Sequence, residues 1–241
     1  MELFCLSEKG NYRAENEDCV CSELNEIYAL SVVCDGMGGA AAGQIAASKA
    51  SERFITYATT ALKAGEDLRI PATLISAAES ANKVVYNLSV DVDDYSGMGT
   101  TLVAIYLKNA SGYIVNIGDS RAYKISHQNI QRLTHDHSYV QELVDLGLLS
   151  EAEALHHPRK NLITRAVGIQ KNVHTDIFET DVTPGDVFVL CTDGLSGVLT
   201  DLQILSIVQQ GGGAEIIGKN LVQAAMEFGS KDNITASVII V

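Results

Sequence analysis

The sequence predicts an α+β fold: a four-layer α-β-β-α sandwich, two mainly antiparallel sheets packed face to face with a helix pair outside each. Three observations carry this. Strand-like and helical runs come in blocks: strands, two helices, strands, an irregular insert, strands, two helices, a last strand. Links between consecutive strands are short, which antiparallel pairing allows and parallel pairing does not. The strands outside the helical hairpins are too many for one helix-covered sheet, so two sheets must cover each other.

The elements follow in order. "LFCLS" near the start reads as a strand, and "IYALSVVC" (27–34) is an apolar, β-branched run of the kind a buried strand shows. From Ala41 to about Ala64 the period changes, with Ala47, Ala50, Phe54, Ala58 and Ala61 at helical spacing. A second helix follows Pro71, a residue suited to a helix start, with Leu74, Ala78, Ala81, Val85 and Leu88 on one face. "MGTTLVAIYL", "GYIVNIG" and "SRAYKIS" are three strands, and "SHQN" after them is a hairpin turn. Residues 137–170 lack continuous apolar character and read as two short helices and a loop. "VHTDIFETDV" and "DVFVLCT" are strands, helices cover about 201–209 and 214–229, and "ITASVIIV" is the last strand.

The 241 residues are 46% apolar, enough for a sizeable core, and residues 1–241 are expected to form a single domain. No run of about 18 apolar residues offers a membrane span, and the first residues lack the pattern of a signal peptide, so a cytoplasmic location is expected. The cysteine count is odd, five, with no spacing that suggests a disulfide framework. Cys19 and Cys21 would share one face of a strand, without further ligands nearby for zinc; Cys5, Cys34 and Cys191 read as small buried apolar residues. A net charge of −13 with no basic run argues against nucleic acid as a partner.

The informative pattern is one of acids. "VVCDGMGG" (32–39) runs an apolar strand into Asp35 and then into Gly36, Gly38 and Gly39. "YIVNIGD" stops at Asp119, "VFVLCTD" stops at Asp193, and "KDNITASVIIV" puts Asp232 just ahead of the last strand. A single Asp-Gly after a strand is ordinarily a turn. Recurrence at four strand ends is not. A carboxylate there loses water and must be paired or bound to a cation. Arg121 is placed to pair with Asp119 and Lys231 stands beside Asp232, but Asp35 and Asp193 have no basic neighbour within five residues. In antiparallel sheets these ends can meet on one edge of the sandwich. An all-oxygen cluster of this kind suits Mg²⁺ or Mn²⁺. Gly36 can then offer its carbonyl, and two cations there would activate a water and clamp phosphate oxygens. The "THDH" stretch holds His135 and His137, which read as solvated loop residues, as do His156 and His157.

Eight stretches in order resemble the metal-dependent protein phosphatases, the type 2C serine/threonine phosphatases, and especially their short bacterial form. They are "GNYRAENED" (10–18), "VVCDGMGGAAAGQIAA" (32–47), "GMGTTL" (97–102), "NIGDSRAY" (116–123), "LTHDHSYVQELVDLG" (133–147), "HPRKNLITRAVG" (157–168), "LCTDGL" (190–195) and "SKDNIT" (230–235). The resemblance covers essentially the whole chain. It implies a β-sandwich flanked by helices, and hydrolysis of phosphoserine and phosphothreonine in proteins by a metal-activated water, with no covalent intermediate. By motif, Asp35 would bridge two ions, the Gly36 carbonyl would bind one, and Asp193 and Asp232 the other. Asp119 with Asp193 would hold a third ion. Asp35 and Asp193 are thus the catalytic centre. Glu17 and Asp18 would act through metal-bound waters, and Arg13 would bind the substrate phosphate through its planar fork. Residues 137–170 correspond to the family's flap beside the active site and are expected to shape protein-substrate choice.

The implied partners are phosphorylated proteins and a cognate kinase, with the chain a monomer. The sequence departs from the family at one point. Many members carry a His after the Asp-Gly or Asp-Gly-Met-Gly-Gly motif; here Met37 and Ala40 stand there, so the role of that His in protonating the leaving group does not transfer. A catalytically dead relative would lack the acids, and all four are present. A phosphatase of small metabolites would call for several Lys or Arg at the site; the motifs place only Arg13.

Overall fold

The computed structural model describes residues 1–38, 42–64 and 69–241. Ala41, the expected first residue of the first long helix, lies outside the described residues, as do Gly39 and Ala40. The described strands are β1 (Glu2–Glu8), β2 (Asp18–Leu24), β3 (Ala29–Met37), β4 (Gly99–Thr100), β5 (Leu102–Lys108), β6 (Ser111–Ile117), β7 (Arg121–Ser126), β8 (Asn129–Arg132), β9 (Asp176–Asp181), β10 (Val187–Cys191) and β11 (Ile234–Ile240). The helices are α1 (Ala42–Lys63), α2 (Ile70–Asp91), α3 (Tyr139–Asp145), α4 (Glu151–Ala154), α5 (Asp193–Ser196), α6 (Asp201–Gln209) and α7 (Ala214–Glu227).

One sheet has the order β1-β11-β10-β7-β8; the other runs β2-β3-β5-β6-β9, with β4 paired to β3. All pairings between these strands are antiparallel. Strand alternation builds the layers. On β3, Leu30, Val32 and Cys34 join Phe54, Leu74 and Val85 in a core under α1 and α2. The residues of opposite parity, Ala29 and Val33, face the other way, into the inter-sheet core with Val103, Ile105, Phe188 and Leu190. A third core joins β10 and β11 to α6 and α7 through Val189, Val238, Ile204 and Leu221. The expected α-β-β-α sandwich is the observed one.

Several boundaries differ from expectation, each for a local reason. Beyond placing Cys19 and Cys21 on one strand face, the sequence did not delimit β2; its "DCVCSEL" carries little apolar character, because it is an edge strand whose side chains after Asp18 are half-buried or exposed. Its cysteines do share a face, and both reach Ser51 of α1: Cys21 Sγ donates to Ser51 Oγ at 3.5 Å, and Ser51 Oγ donates to Cys19 Sγ at 3.2 Å. β3 continues two residues past Asp35, because β4 gives Gly36 and Met37 pairing partners in Thr100 and Gly99. Asp193 opens a short helix that the sequence did not announce. The 137–170 segment does hold two short helices, and α4 begins with a capping box of Ser150 and Glu153.

Candidate active site

The side-chain alternation that builds the inter-sheet core also aims the acids. Asp35 has the parity of Ala29 and Val33 on β3, so its carboxyl belongs to the inter-sheet side, at the rim. On β2, Asp18 has the parity of Val20, which packs into the same core. Asp18 and Asp35 are direct partners in the β2–β3 register. Asp119 lies two residues past β6, Asp193 two past β10, and Asp232 two before β11. The sandwich edge therefore gathers five acids from both sheets.

Their mutual fields confirm the convergence. Burial pushes Asp35 well above the ordinary carboxylate range, and the charges of Asp18, Asp193, Asp119 and Asp232 push it further. Burial and Asp193 raise Asp119 to about 8. Asp18 rises to about 7, mainly through burial, although Thr235 and Thr192 hydrogen bonds oppose the shift. Asp193 is raised by burial and by the charge of Asp232. Asp18 is buried, while Asp35, Asp119, Asp193 and Asp232 keep a partial opening to solvent.

Hydrogen bonds from uncharged residues hold this crowd in place. Asp35 N–H donates to Thr101 Oγ1 at 2.9 Å, and Thr101 N–H donates to the Asp35 carbonyl at 2.9 Å. Thr101 Oγ1 also shares a 2.7 Å bond with Ser120 Oγ, beside Asp119. Thr192 Oγ1 donates to Asp18 Oδ2 at 2.9 Å and accepts from Thr235 N–H at 3.1 Å. Asn233 Oδ1 accepts from Glu17 N–H at 2.9 Å, while its amide nitrogen donates to the carbonyls of Lys9 and Glu15. Sequence reading missed Thr101, Ser120, Thr192 and Asn233. The available signal was a polar residue inside or beside an apolar strand run, since buried polar groups need partners.

Gly36 is fixed by space as well as by chemistry. A Cβ there would collide with the Gly43 carbonyl and come within 2.6 Å of the Glu17 carbonyl. Its N–H donates to Glu17 O at 3.2 Å. The glycine lets β3 pass against both the α1 start and the segment that carries Glu17.

Three expectations about charge partners are corrected. Arg121 does not pair with Asp119. It grips Asp136, with Nε at 3.1 and 3.0 Å from the two carboxylate oxygens and Nη2 at 2.7 Å from Oδ2. A planar fork prefers a carboxylate it can meet edge-on. Asp232 is paired with Arg13, at 2.7 Å, rather than with its neighbour Lys231. His137 is not a solvated loop residue: it is 6% exposed and fully bonded. His135 is exposed and pairs with Asp145 at 2.8 Å.

The donor set fits divalent cations. Asp193 Oδ1 is buried without a hydrogen-bond partner. Partly buried carboxylates in which the charge of one raises the pKa of the other, as that of Asp193 does for Asp35, call for a shared proton or a cation. All side-chain donors are oxygens, as Mg²⁺ and Mn²⁺ prefer. Among the described residues no three His, Cys, Asp or Glu side chains already surround one point as a finished ligand set. Carboxylates that repel one another have no reason to close on a common centre until a positive charge draws them in.

A carboxylate cluster for hard cations, set at the rim of an α-β-β-α sandwich beside an arginine, defines a phosphate-hydrolysing enzyme of the metal-dependent class. The sequence model described as Protein phosphatase 2C matches residues 14–217. The chain belongs to the protein phosphatase 2C family. It is 33% identical over 237 residues to "Serine/threonine phosphatase stp" of Listeria monocytogenes, covering 97% of this chain and 93% of that protein. The crystal structure of Stp1 from Staphylococcus aureus superposes with a TM-score of 0.90 at 32% identity, covering 100% of this chain and 95% of that one. The catalytic domain of PstP, solved with two manganese ions, gives a TM-score of 0.82 at 32% identity, covering 98% and 96%.

Proposed function

We infer that the chain hydrolyses phosphoserine and phosphothreonine in proteins. The observation that carries this is the convergence of Asp18, Asp35, Asp119, Asp193 and Asp232 on one rim of the sandwich, with Asp193 Oδ1 buried and left without a partner. Asp35 would bridge two cations; the Gly36 carbonyl would hold one, and Asp193 and Asp232 the other. Asp119 with Asp193 would hold a third. When bound, these cations supply a water of lowered pKa and a positive clamp for phosphate oxygens. The oxygen donors suit both Mn²⁺ and Mg²⁺.

The chain's own groups do the rest. Arg13 offers a guanidinium that is half-exposed and now spends one N–H on Asp232. Its remaining donors are free to take phosphate oxygens in fork geometry. Glu17 and Asp18 would accept hydrogen bonds from water at the rim; burial raises the pKa of both. The 137–170 flap would border the substrate protein.

Residues 1–241 are read as one domain acting as a monomer, with the site drawing its acids from both sheets around one shared inter-sheet core. Its substrates would be made by a serine/threonine kinase, the only class of enzyme chemistry that supplies them. Among the described residues no helix is long and apolar enough to cross a membrane. Five free cysteines suit the reducing cytoplasm.

The test is hydrolysis of a phosphothreonine peptide with Mn²⁺ and with excess chelator. Activity with Mn²⁺, lost on chelation and in Asp35→Asn and Asp193→Asn, supports the reading. Full-rate hydrolysis in chelator would end it.

A further inference from the structure

His137 holds one residue from two directions. Its backbone N–H donates to the Gly118 carbonyl at 3.0 Å, and its ring Nδ1 accepts the Gly118 N–H at 3.0 Å. Gly118 comes just after β6 ends and just before Asp119. Its φ of +110° is one that side-chain-bearing residues rarely adopt, and a Cβ would press on Thr101 at 2.7 Å. Asn116 Nδ2 adds a third bond, to the Gly118 carbonyl at 3.2 Å. Both polar backbone groups of the turn that aims Asp119 are thus bonded, and the N–H depends on a single imidazole nitrogen.

The ring itself is held. An Nδ1 that accepts a hydrogen bond places the hydrogen of a neutral imidazole on Nε2. Nε2 faces Asp176 Oδ2 at 3.1 Å, and Arg165 Nη1 lies 2.9 Å from Nε2 and 2.6 Å from Asp176 Oδ1. This is the arrangement by which a carboxylate fixes the tautomer of a working histidine. Arg165 and His137 also sit at the two ends of the flap, which are zipped together. Thr164 N–H donates to the His137 carbonyl at 2.8 Å, Ser138 and Ile163 form a β-bridge, and Tyr139 N–H donates to the Leu162 carbonyl at 2.8 Å.

We propose that His137 is a positioning residue: it sets the Gly118–Asp119 turn, and so the cation site at Asp119, and joins that turn to the root of the flap. The inference rests on the reading of Asp119 as a ligand of the third cation. Removing the ring leaves a buried N–H unpaired and lets the turn rotate, while the Asp35–Asp193 centre keeps its own supports through Thr101 and Thr192. Loss of such an outer partner weakens metal affinity by about 10- to 100-fold.

The experiment is calorimetric titration with Mn²⁺ of wild type, His137→Ala, His137→Asn, Asp119→Ala and the Asp119→Ala/His137→Ala double variant, with p-nitrophenyl phosphate turnover alongside. Asp119→Ala should lose one Mn²⁺ site. His137→Ala should weaken that same site about 10- to 100-fold and leave the others. In the Asp119→Ala background, His137→Ala should change nothing further, because a coupled pair is not additive. His137→Asn should recover most of the affinity, since its Oδ1 can stand in for Nδ1 as acceptor. Wild-type affinity in His137→Ala overturns the inference, as does an equal loss in both backgrounds or an Asn variant as weak as Ala. If Asp119→Ala keeps every Mn²⁺ site, the third-cation reading fails first, and this inference falls with it. Should His137→Ala not fold, His137→Asn and His137→Gln decide together: Asn must keep near wild-type affinity while Gln, whose amide reaches the Nε2 position instead, must not, and any other result overturns the inference.

Discussion

Arg13 Nη2 donates to Asp232 Oδ2 at 2.7 Å, bringing together residues 219 apart in sequence. The guanidinium is thereby held at the rim of the acid cluster, where on the proposed reading a phosphate would meet a donor already in place. A charge-assisted hydrogen bond is worth roughly 1.5–3 kcal/mol, so Arg13→Ala should lower kcat/KM on a phosphothreonine peptide by about 10- to 150-fold. Arg13→Lys keeps the charge but not the fork and should recover only part of the loss. Steady-state kinetics on the three proteins at saturating Mn²⁺ check this; an unchanged kcat/KM in Arg13→Ala would make Arg13 a bystander.

The acid cluster makes the cation-free protein sensitive to pH. Asp18, Asp119 and Asp35 have folded-state pKa values raised above their unfolded values, to about 7, about 8 and well above the usual range respectively. Between pH 5 and 7 the unfolded chain has already released these protons while the folded chain retains them. Stability supplied by the protonated forms is therefore complete at low pH and lost as pH rises. His137, lowered by burial, contributes with the opposite sign, but as one group against these three and the likewise raised Asp193 and Glu17. Asp176, Asp145 and Asp186 are lowered from 3.8 and titrate below this window. In chelator, Tm should fall from pH 5 to pH 7, and Mn²⁺ should raise it most at pH 7. A Tm that rises with pH in chelator would contradict the clustering of these acids.

Thr101 carries a structural load at the same site. Its hydroxyl is the acceptor for Asp35 N–H and the partner of Ser120 Oγ. Thr101→Val keeps the shape and deletes the oxygen, leaving buried groups unpaired. The expected cost is about 1–3 kcal/mol, seen as a lower urea midpoint at unchanged slope. A midpoint equal to wild type would show that those groups find other partners.

The leaving group gives a fourth test. Ala40, where the family resemblance leads one to expect His, lies outside the described residues, so the test is kinetic. A nitrophenolate leaves without help, whereas an alkoxide gains from a proton donor. Without a dedicated acid, rates should fall steeply as the leaving group becomes more basic. Ala40→His should then speed phosphopeptide hydrolysis more than nitrophenyl phosphate hydrolysis, by up to ~10²-fold. A shallow dependence in wild type would mean that another group already supplies the proton.

Local patterns in the chain settled the layers and the acids. Alternation along 27–34 and helical spacing at Ala47, Ala50, Phe54 and Ala58 are one-dimensional consequences of backbone geometry, so they can be read from the chain alone. Asp35, Asp119, Asp193 and Asp232 were legible for a related reason: each sits within two residues of a strand end, and the strand ends of both sheets meet at a sandwich rim. What the chain did not disclose was which side chains pair across that rim. Arg121 has Asp119 close in sequence yet bonds Asp136, and Arg13 reaches past everything nearby to Asp232. His137 looked like a loop residue until the fold laid it against Gly118, 19 positions back. Such choices depend on directions and distances of a few ångströms between segments far apart in sequence. A hydrogen bond is made or lost over less than 1 Å, whereas hydrophobic periodicity tolerates far more.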